Sequence, residues 1–128
     1  MESNSEQRDP LTYQVIGAAM EVHRQMGPGL LESVYQRCLE HELKLRGIPC
    51  QPQARLPLVY KGEPLDGEFV MDVYLPERLV VELKAVVNLL PIHEAQLLTY
   101  LRLSKTHVGL LINFNVPVLK DGIKRMVL

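Results

Sequence analysis

The sequence predicts an α/β domain, a mixed sheet with helices packed against it. Two stretches with helical spacing open the chain, and three strand-like stretches follow in succession. A third helical stretch then leads into a further strand and one short last element. Three consecutive strands between helices make a sheet with a meander at its centre. The length of 128 residues is that of one ordinary domain able to bury its own core. Residues 10–128 are assigned to that domain. The polar stretch "MESNSEQRD", residues 1–9, is expected to be a disordered tail.

Pro10 suits the first turn of a helix, and Leu11, Val15, Ala18, Val22 and Met26 recur at helical spacing to residue 26. "GPG" at 27–29 breaks the chain. A second helix is expected from Leu30 to Arg46, with Leu31, Val34, Tyr35, Cys38 and Leu39 on one stripe and Gly47 as its stop. "RLPLVYKG" is the first strand, and Pro57 marks it as an edge. "GEFVMDVYL" and "RLVVELKAVV" are the second and third. Ile92 to Ser104 reads as a helix, "THVGLLINF" as a strand and "GIKRMVL" as a short last element.

Apolar residues make up 47% of the chain, which places it among globular rather than disordered proteins. No apolar run reaches the length of a membrane span, and no signal-peptide pattern is present, so a cytoplasmic protein without a membrane partner is expected. Cys38 and Cys50 have no metal or redox spacing and read as reduced thiols. The net charge of −1 argues against strong non-specific binding of nucleic acid by the whole surface. The charge is uneven, however. Residues 85–128 carry five cations (Arg102, Lys105, Lys120, Lys124 and Arg125) against Glu94 and Asp121, or +3, which leaves −4 on the first 84 residues. That basic third is either solvated surface or a phosphate-facing edge beside an acidic site.

The second and third strands hold charges inside apolar runs. Phe69, Met71, Val73 and Leu75 are expected on one face of the second strand, with Glu68, Val70, Asp72 and Tyr74 on the other. In the third strand Leu79, Val81, Leu83, Ala85 and Val87 share a face, and Val80, Glu82, Lys84 and Val86 share the opposite one. A turn centred on Glu77 pairs Leu75 with Leu79, Tyr74 with Val80 and Asp72 with Glu82, and sets Lys84 diagonal to Asp72. The hydrophobic pattern selects this register, because a slip of one residue would put the two apolar faces on opposite sides. Two carboxylates about 5 Å apart repel by about 3 kcal/mol at an effective dielectric near 20. Lys84 offsets part of that, and a divalent cation would offset more. Two carboxylates with carbonyls and waters are a usual magnesium ligand set. The plain alternative is a solvated strand face.

Asp72 followed by Glu82-Leu83-Lys84 on the next strand resembles the D…(D/E)xK signature of the PD-(D/E)xK nuclease superfamily. "GLLESVY" at 29–35 is similar to the Gly-x-x-Glu-x-x-Tyr motif of the GxxExxY protein family, as are "VVELKAV" and "LLPIHEAQLLTYL". The similarity runs from about Leu11 to Val127, and Met71 stands where the superfamily name has proline. The resemblance implies a nuclease-like core of helix, three strands, helix and strand, preceded by an extra N-terminal helix. It implies that Asp72, Glu82 and the backbone carbonyl of Leu83 bind Mg2+, with Mn2+ as a substitute. Lys84 would position the attacking water and stabilise charge on the transition state, and Glu32 would assist from the second helix. Gln96 and Tyr100, spaced i, i+4 on one helix face, resemble a QxxxY motif that holds the substrate.

Each supporting residue also has a plainer reading. Glu32 suits the first turn of a helix through its dipole. Gln96 and Tyr100 can be a buried polar pair, and Tyr35 simply core. His93 can contact phosphate or cap the helix after Pro91, while His23 and Arg24 suit the end of the first helix. No P-loop, dinucleotide fingerprint or nucleophile elbow is present, which removes nucleotide-driven motors and serine hydrolases. The expected function is Mg2+-dependent hydrolysis of nucleic acid, DNA before RNA. The alternatives are a catalytically silent module of the same fold that binds nucleic acid or a protein partner, and a homo-oligomer. A small domain without a strong basic surface has reason to recruit a second subunit to hold DNA.

Overall fold

The computed structural model describes residues 9–128. Its elements are α1 (Pro10–Met26), α2 (Glu32–Leu45), β1 (Gln51–Tyr60), β2 (Glu63–Leu75), β3 (Leu79–Lys84), α3 (Pro91–Ser104), β4 (Val108–Asn113), a 3-10 turn (Leu119–Gly122) and β5 (Ile123–Val127). The expected order is therefore the observed one, an α/β fold with an additional helix at its start. The tail expected at residues 1–9 lies outside the described residues except for Asp9. The Asp9 carboxylate accepts from the backbone N–H and hydroxyl of Thr12 and so caps α1.

The five strands form one sheet in the order β1-β2-β3-β4-β5. β1–β2, β2–β3 and β4–β5 are antiparallel, whereas β3–β4 is parallel and is joined through α3. β1 lies at the edge, as Pro57 predicts. Helices α1 and α2 cover one side of the sheet, where Val15, Val22, Tyr35, Leu39, Val73, Val81, Leu83, Ile112 and Phe114 form the larger core. Helix α3 covers the other side, where Leu97, Tyr100 and Leu101 pack on Met71, Val80 and Leu111. Gly109 permits the close approach of α3, since a Cβ there would stand 2.8 Å from Leu97.

The β2–β3 turn is centred on Glu77 (φ 66°), and Arg78 N–H donates to Leu75 O at 2.9 Å. Leu75 pairs with Leu79, Tyr74 with Val80 and Val73 with Val81, which is the register expected from the apolar pattern.

Several expectations change. β1 and β2 start earlier than expected, at Gln51 and Glu63, because the two strands pair along a longer hairpin, from Gln51 with Tyr74 to Tyr60 with Glu63. Helix α2 starts at Glu32, not at Leu30, because Leu31 is extended and the Leu30 N–H is taken by the Tyr35 hydroxyl. Strand β3 ends at Lys84 and not at Val87. The buried Asn113 side chain accepts from Val86 N–H at 3.0 Å and donates to Val86 O at 2.9 Å, which turns the chain out of the sheet. The apolar side of β2 is not continuous. Phe69 and Met71 pack on the α3 side, and Val73 and Leu75 pack on the α1–α2 side. The change falls at Asp72. The β1–β2 ladder pairs Pro52 with Val73 and Ala54 with Met71 but omits Gln53 with Asp72, and Gln53 has the left-handed φ of 51°.

Candidate active site

The site forms where β2 and β3 part. Their ladder stops at Val73 and Val81, and beyond it side chains take over the backbone bonding. Asp72 N–H donates to Glu82 Oε2 at 2.8 Å, and Leu83 N–H donates to Asp72 Oδ2 at 2.8 Å. Each acid therefore closes the opening with one oxygen. Along a strand the N–H and C=O of one residue face the same edge. The Leu83 carbonyl consequently faces the same opening as its N–H.

Glu82 is only 3% exposed, which rules out the reading of a solvated strand face. Burial first, and then the Asp72 carboxylate, pushes its pKa up to about 8. Burial also raises Asp72, although the Leu83 N–H and Lys84 oppose the change. Glu32 is raised by partial desolvation and then by Asp72, with Lys84 opposing. Burial thus makes all three acids harder to ionise, and the Asp72 carboxylate adds to the effect at Glu82 and Glu32.

Lys84 follows on β3. Its Nζ lies 3.3 Å from Gln96 Oε1, and Gln96 Nε2 donates to the Tyr100 hydroxyl at 3.3 Å. The glutamine and tyrosine expected on one face of α3 thus form a chain that ends on the lysine. His93 stands apart from this chain. Its Nδ1 accepts from Leu90 N–H at 3.0 Å, at the start of α3. His23 bonds Val116 O and ties α1 to the loop after β4, while Arg24 pairs with Glu21 within α1. Within the basic third, Lys124 is paired with Glu94.

Glu32 is placed by the loop before it. Gly29 takes φ 92°, a conformation that other residues rarely adopt. The Tyr35 hydroxyl donates to Gly27 O at 2.6 Å and accepts from Leu30 N–H at 3.2 Å. The Tyr35 ring is fully buried and stacks on Phe114 with centroids 4.5 Å apart. The Gly-x-x-Glu-x-x-Tyr spacing thus has a structural reason: the tyrosine pins the turn that presents the glutamate. A cleft of about 550 Å³ opens beside Asp72, lined by Glu32, Ser33, Gln36, Arg37, Glu40 and Gln53.

Gln36, Gln53 and Arg37 went unnoticed in the sequence. Gln36 had a signal, because it lies four residues after Glu32 on the same helix face. Arg37, an exposed cation on the cleft wall, looks like any surface arginine. Gln53 lies in "PCQPQ", which has no periodicity to read.

A family model described as the PD-(D/E)XK nuclease superfamily matches residues 9–126. The chain belongs to the PD-(D/E)XK nuclease superfamily. No curated protein and no solved structure matches it. Nucleases of this superfamily typically use divalent metals. Among the described residues, no group of three or more His, Cys, Asp or Glu side chains is arranged to hold a metal ion. The donor set still fits one. Asp72 and Glu82 are hard oxygen donors with a shared excess of negative charge, and Mg2+ is commonly held by one or two carboxylates, with waters and substrate phosphate completing its shell. No helix among the described residues is long and apolar enough to cross a membrane.

Proposed function

We propose that this member of the PD-(D/E)XK nuclease superfamily is a phosphodiesterase that cleaves nucleic acid, DNA before RNA, with Mg2+ or Mn2+. The observation that carries the reading is the opening of the β2–β3 ladder at Asp72 and Glu82, with Lys84 two residues further on the same strand. The ordered set Gly29, Glu32 and Tyr35 supports membership of the GxxExxY family within that superfamily.

In this reading Asp72, Glu82 and the Leu83 carbonyl hold the cation. When bound, such a cation would polarise the phosphate and lower the pKa of water, making hydroxide available near neutral pH. Lys84 Nζ donates to the attacking water and to the phosphate oxygens, where charge grows in the transition state. Gln96 restrains the lysine, and Tyr100 orients Gln96. Glu32 stands on the cleft side and accepts a proton from water, a role suited to a carboxyl raised above its usual range. Gln96, Tyr100 and His93 are assigned to substrate contact; with His93 Nδ1 accepting from Leu90 N–H, its Nε2 is the atom left to donate to a phosphate. The cytoplasm suits the two unpaired cysteines. A second subunit or a protein partner would help to hold the substrate, which the exposed apolar Val59, Tyr60 and Leu65 of the β1–β2 hairpin support.

The test is cleavage of single- and double-stranded DNA and RNA in Mg2+ or Mn2+, by the wild type and by Lys84→Ala. Cleavage by the wild type that is lost in the folded variant is expected. Equal cleavage by both would overturn the role of Lys84. Metal-independent nucleic-acid binding without cleavage would point to the catalytically silent module.

A further inference from the structure

Gln36 has its amide beside the site, yet no step above uses it. The residue is 9% exposed. Its Nε2 lies 2.7 Å from Asp72 O and 2.7 Å from Glu40 Oε2. Two acceptors on one NH2 account for both of its hydrogens and fix the orientation of the amide.

The residue it grips is the one the sheet leaves unpaired. The β1–β2 ladder omits Asp72, and the β2–β3 ladder stops one residue short of it. Side chains hold its main chain instead: Glu82 takes the N–H, and Gln36 donates to the carbonyl. A residue paired in a ladder has its side-chain direction set by the pleat. At Asp72 that direction depends on how the peptide groups on either side are held.

We propose that Gln36 is a positioning residue that aims the Asp72 carboxylate at the cation. The inference rests on the reading of Asp72 and Glu82 as metal ligands. Glu32, Gln36 and Glu40 follow at i, i+4 and i+8, so one face of α2 presents a carboxylate to the site and fixes the backbone of another. Tyr35 anchors that helix to the core, which makes α2 a rigid support for the grip. Partners of this kind, which hold a ligand without touching the metal, commonly change metal affinity by about 10–100-fold when removed.

The experiment titrates Mn2+ alone into the full chain by calorimetry. The proteins are the wild type, Gln36→Leu, Gln36→Asn and Glu40→Gln. Hydrogen exchange of the Leu83 amide, followed without metal, reports whether Asp72 still accepts from it. Both Gln36 variants should bind Mn2+ about 10–100-fold more weakly and exchange the Leu83 amide faster. Asn keeps the polarity but falls one methylene short, so it serves if the leucine variant does not fold. Glu40→Gln retains an acceptor for the Gln36 amide, so its Leu83 exchange should stay nearer the wild type than that of the Gln36 variants; exchange as fast as in Gln36→Leu would overturn the grip on Asp72 as the cause. Wild-type affinity and unchanged Leu83 exchange in the Gln36 variants would overturn this inference and leave the metal site standing. A wild type that binds no Mn2+ would overturn both.

Discussion

Asp72 and Glu82 each secure the other's strand. The Asp72 N–H is held by Glu82, the carboxylate of Asp72 holds the N–H next to Glu82, and both bonds are 2.8 Å. The two acids thereby replace the hydrogen bonds that the parting strands give up. The same arrangement keeps two carboxyl groups close together and Glu82 buried, and this has consequences for stability, metal binding and catalysis.

Stability should fall as pH rises. Glu82 is raised from an ordinary 4.5 to about 8, so between these values the native protein holds a proton that the unfolded chain has lost. Stability is then highest below the unfolded value and declines through the folded one. Glu82→Gln removes the titration and keeps an acceptor for the Asp72 N–H. The variant should be more stable than the wild type by a few kcal/mol at about pH 9 and close to it at about pH 5. Thermal unfolding of both proteins across this range checks the sign.

Cation binding should run the other way. A cation competes with the proton held on the acid pair, so Mn2+ affinity should climb as pH rises toward about 8. Calorimetry in buffers of different ionisation enthalpy should detect proton release on binding at neutral pH. Affinity independent of pH would contradict the charge state described for the pair.

Tyr35→Phe separates the two duties of that residue. The ring and its stacking on Phe114 are retained, but Gly27 O and Leu30 N–H lose their partner. The cost should be about 1–3 kcal/mol in denaturant unfolding. Cleavage should fall as well, because the turn that presents Glu32 is released. Full activity in a destabilised protein would show that Tyr35 serves only the core.

Gly109→Ala tests the fit of α3 on the sheet. The added Cβ would stand 2.8 Å from Leu97, so the helix must shift or the leucine must move. A loss of about 1–3 kcal/mol is expected. Since Lys84 reaches Gln96 on α3, the same variant should also slow cleavage.

Much of this arrangement could be read from the sequence, and the exceptions have physical causes. The register of Leu75 with Leu79 and Tyr74 with Val80 follows from apolar alternation, since any slip would bury the wrong face. Extended by one pair, that register sets Asp72 beside Glu82, where the ladder gives way to the bonds that their side chains make. Helical spacing paired Gln96 with Tyr100. The switch of β2 from one core to the other at Asp72 was hidden, because Phe69, Met71, Val73 and Leu75 are all apolar and alternation does not say which layer covers each. It depends on the left-handed Gln53 of the neighbouring strand, which no local pattern marks. The end of β3 was hidden for a similar reason. Asn113, distant in sequence, draws Val86 out of the strand.

The central claim is that the parted strands form a cation site centred on Asp72 and Glu82. The direct test is calorimetric titration of Mn2+ into the wild type and into Glu82→Gln at about pH 8, where Glu82 is no longer fully protonated. Saturable binding to the wild type and its loss in a folded Glu82→Gln are predicted. Equal binding by both proteins, or none by the wild type, would contradict the claim.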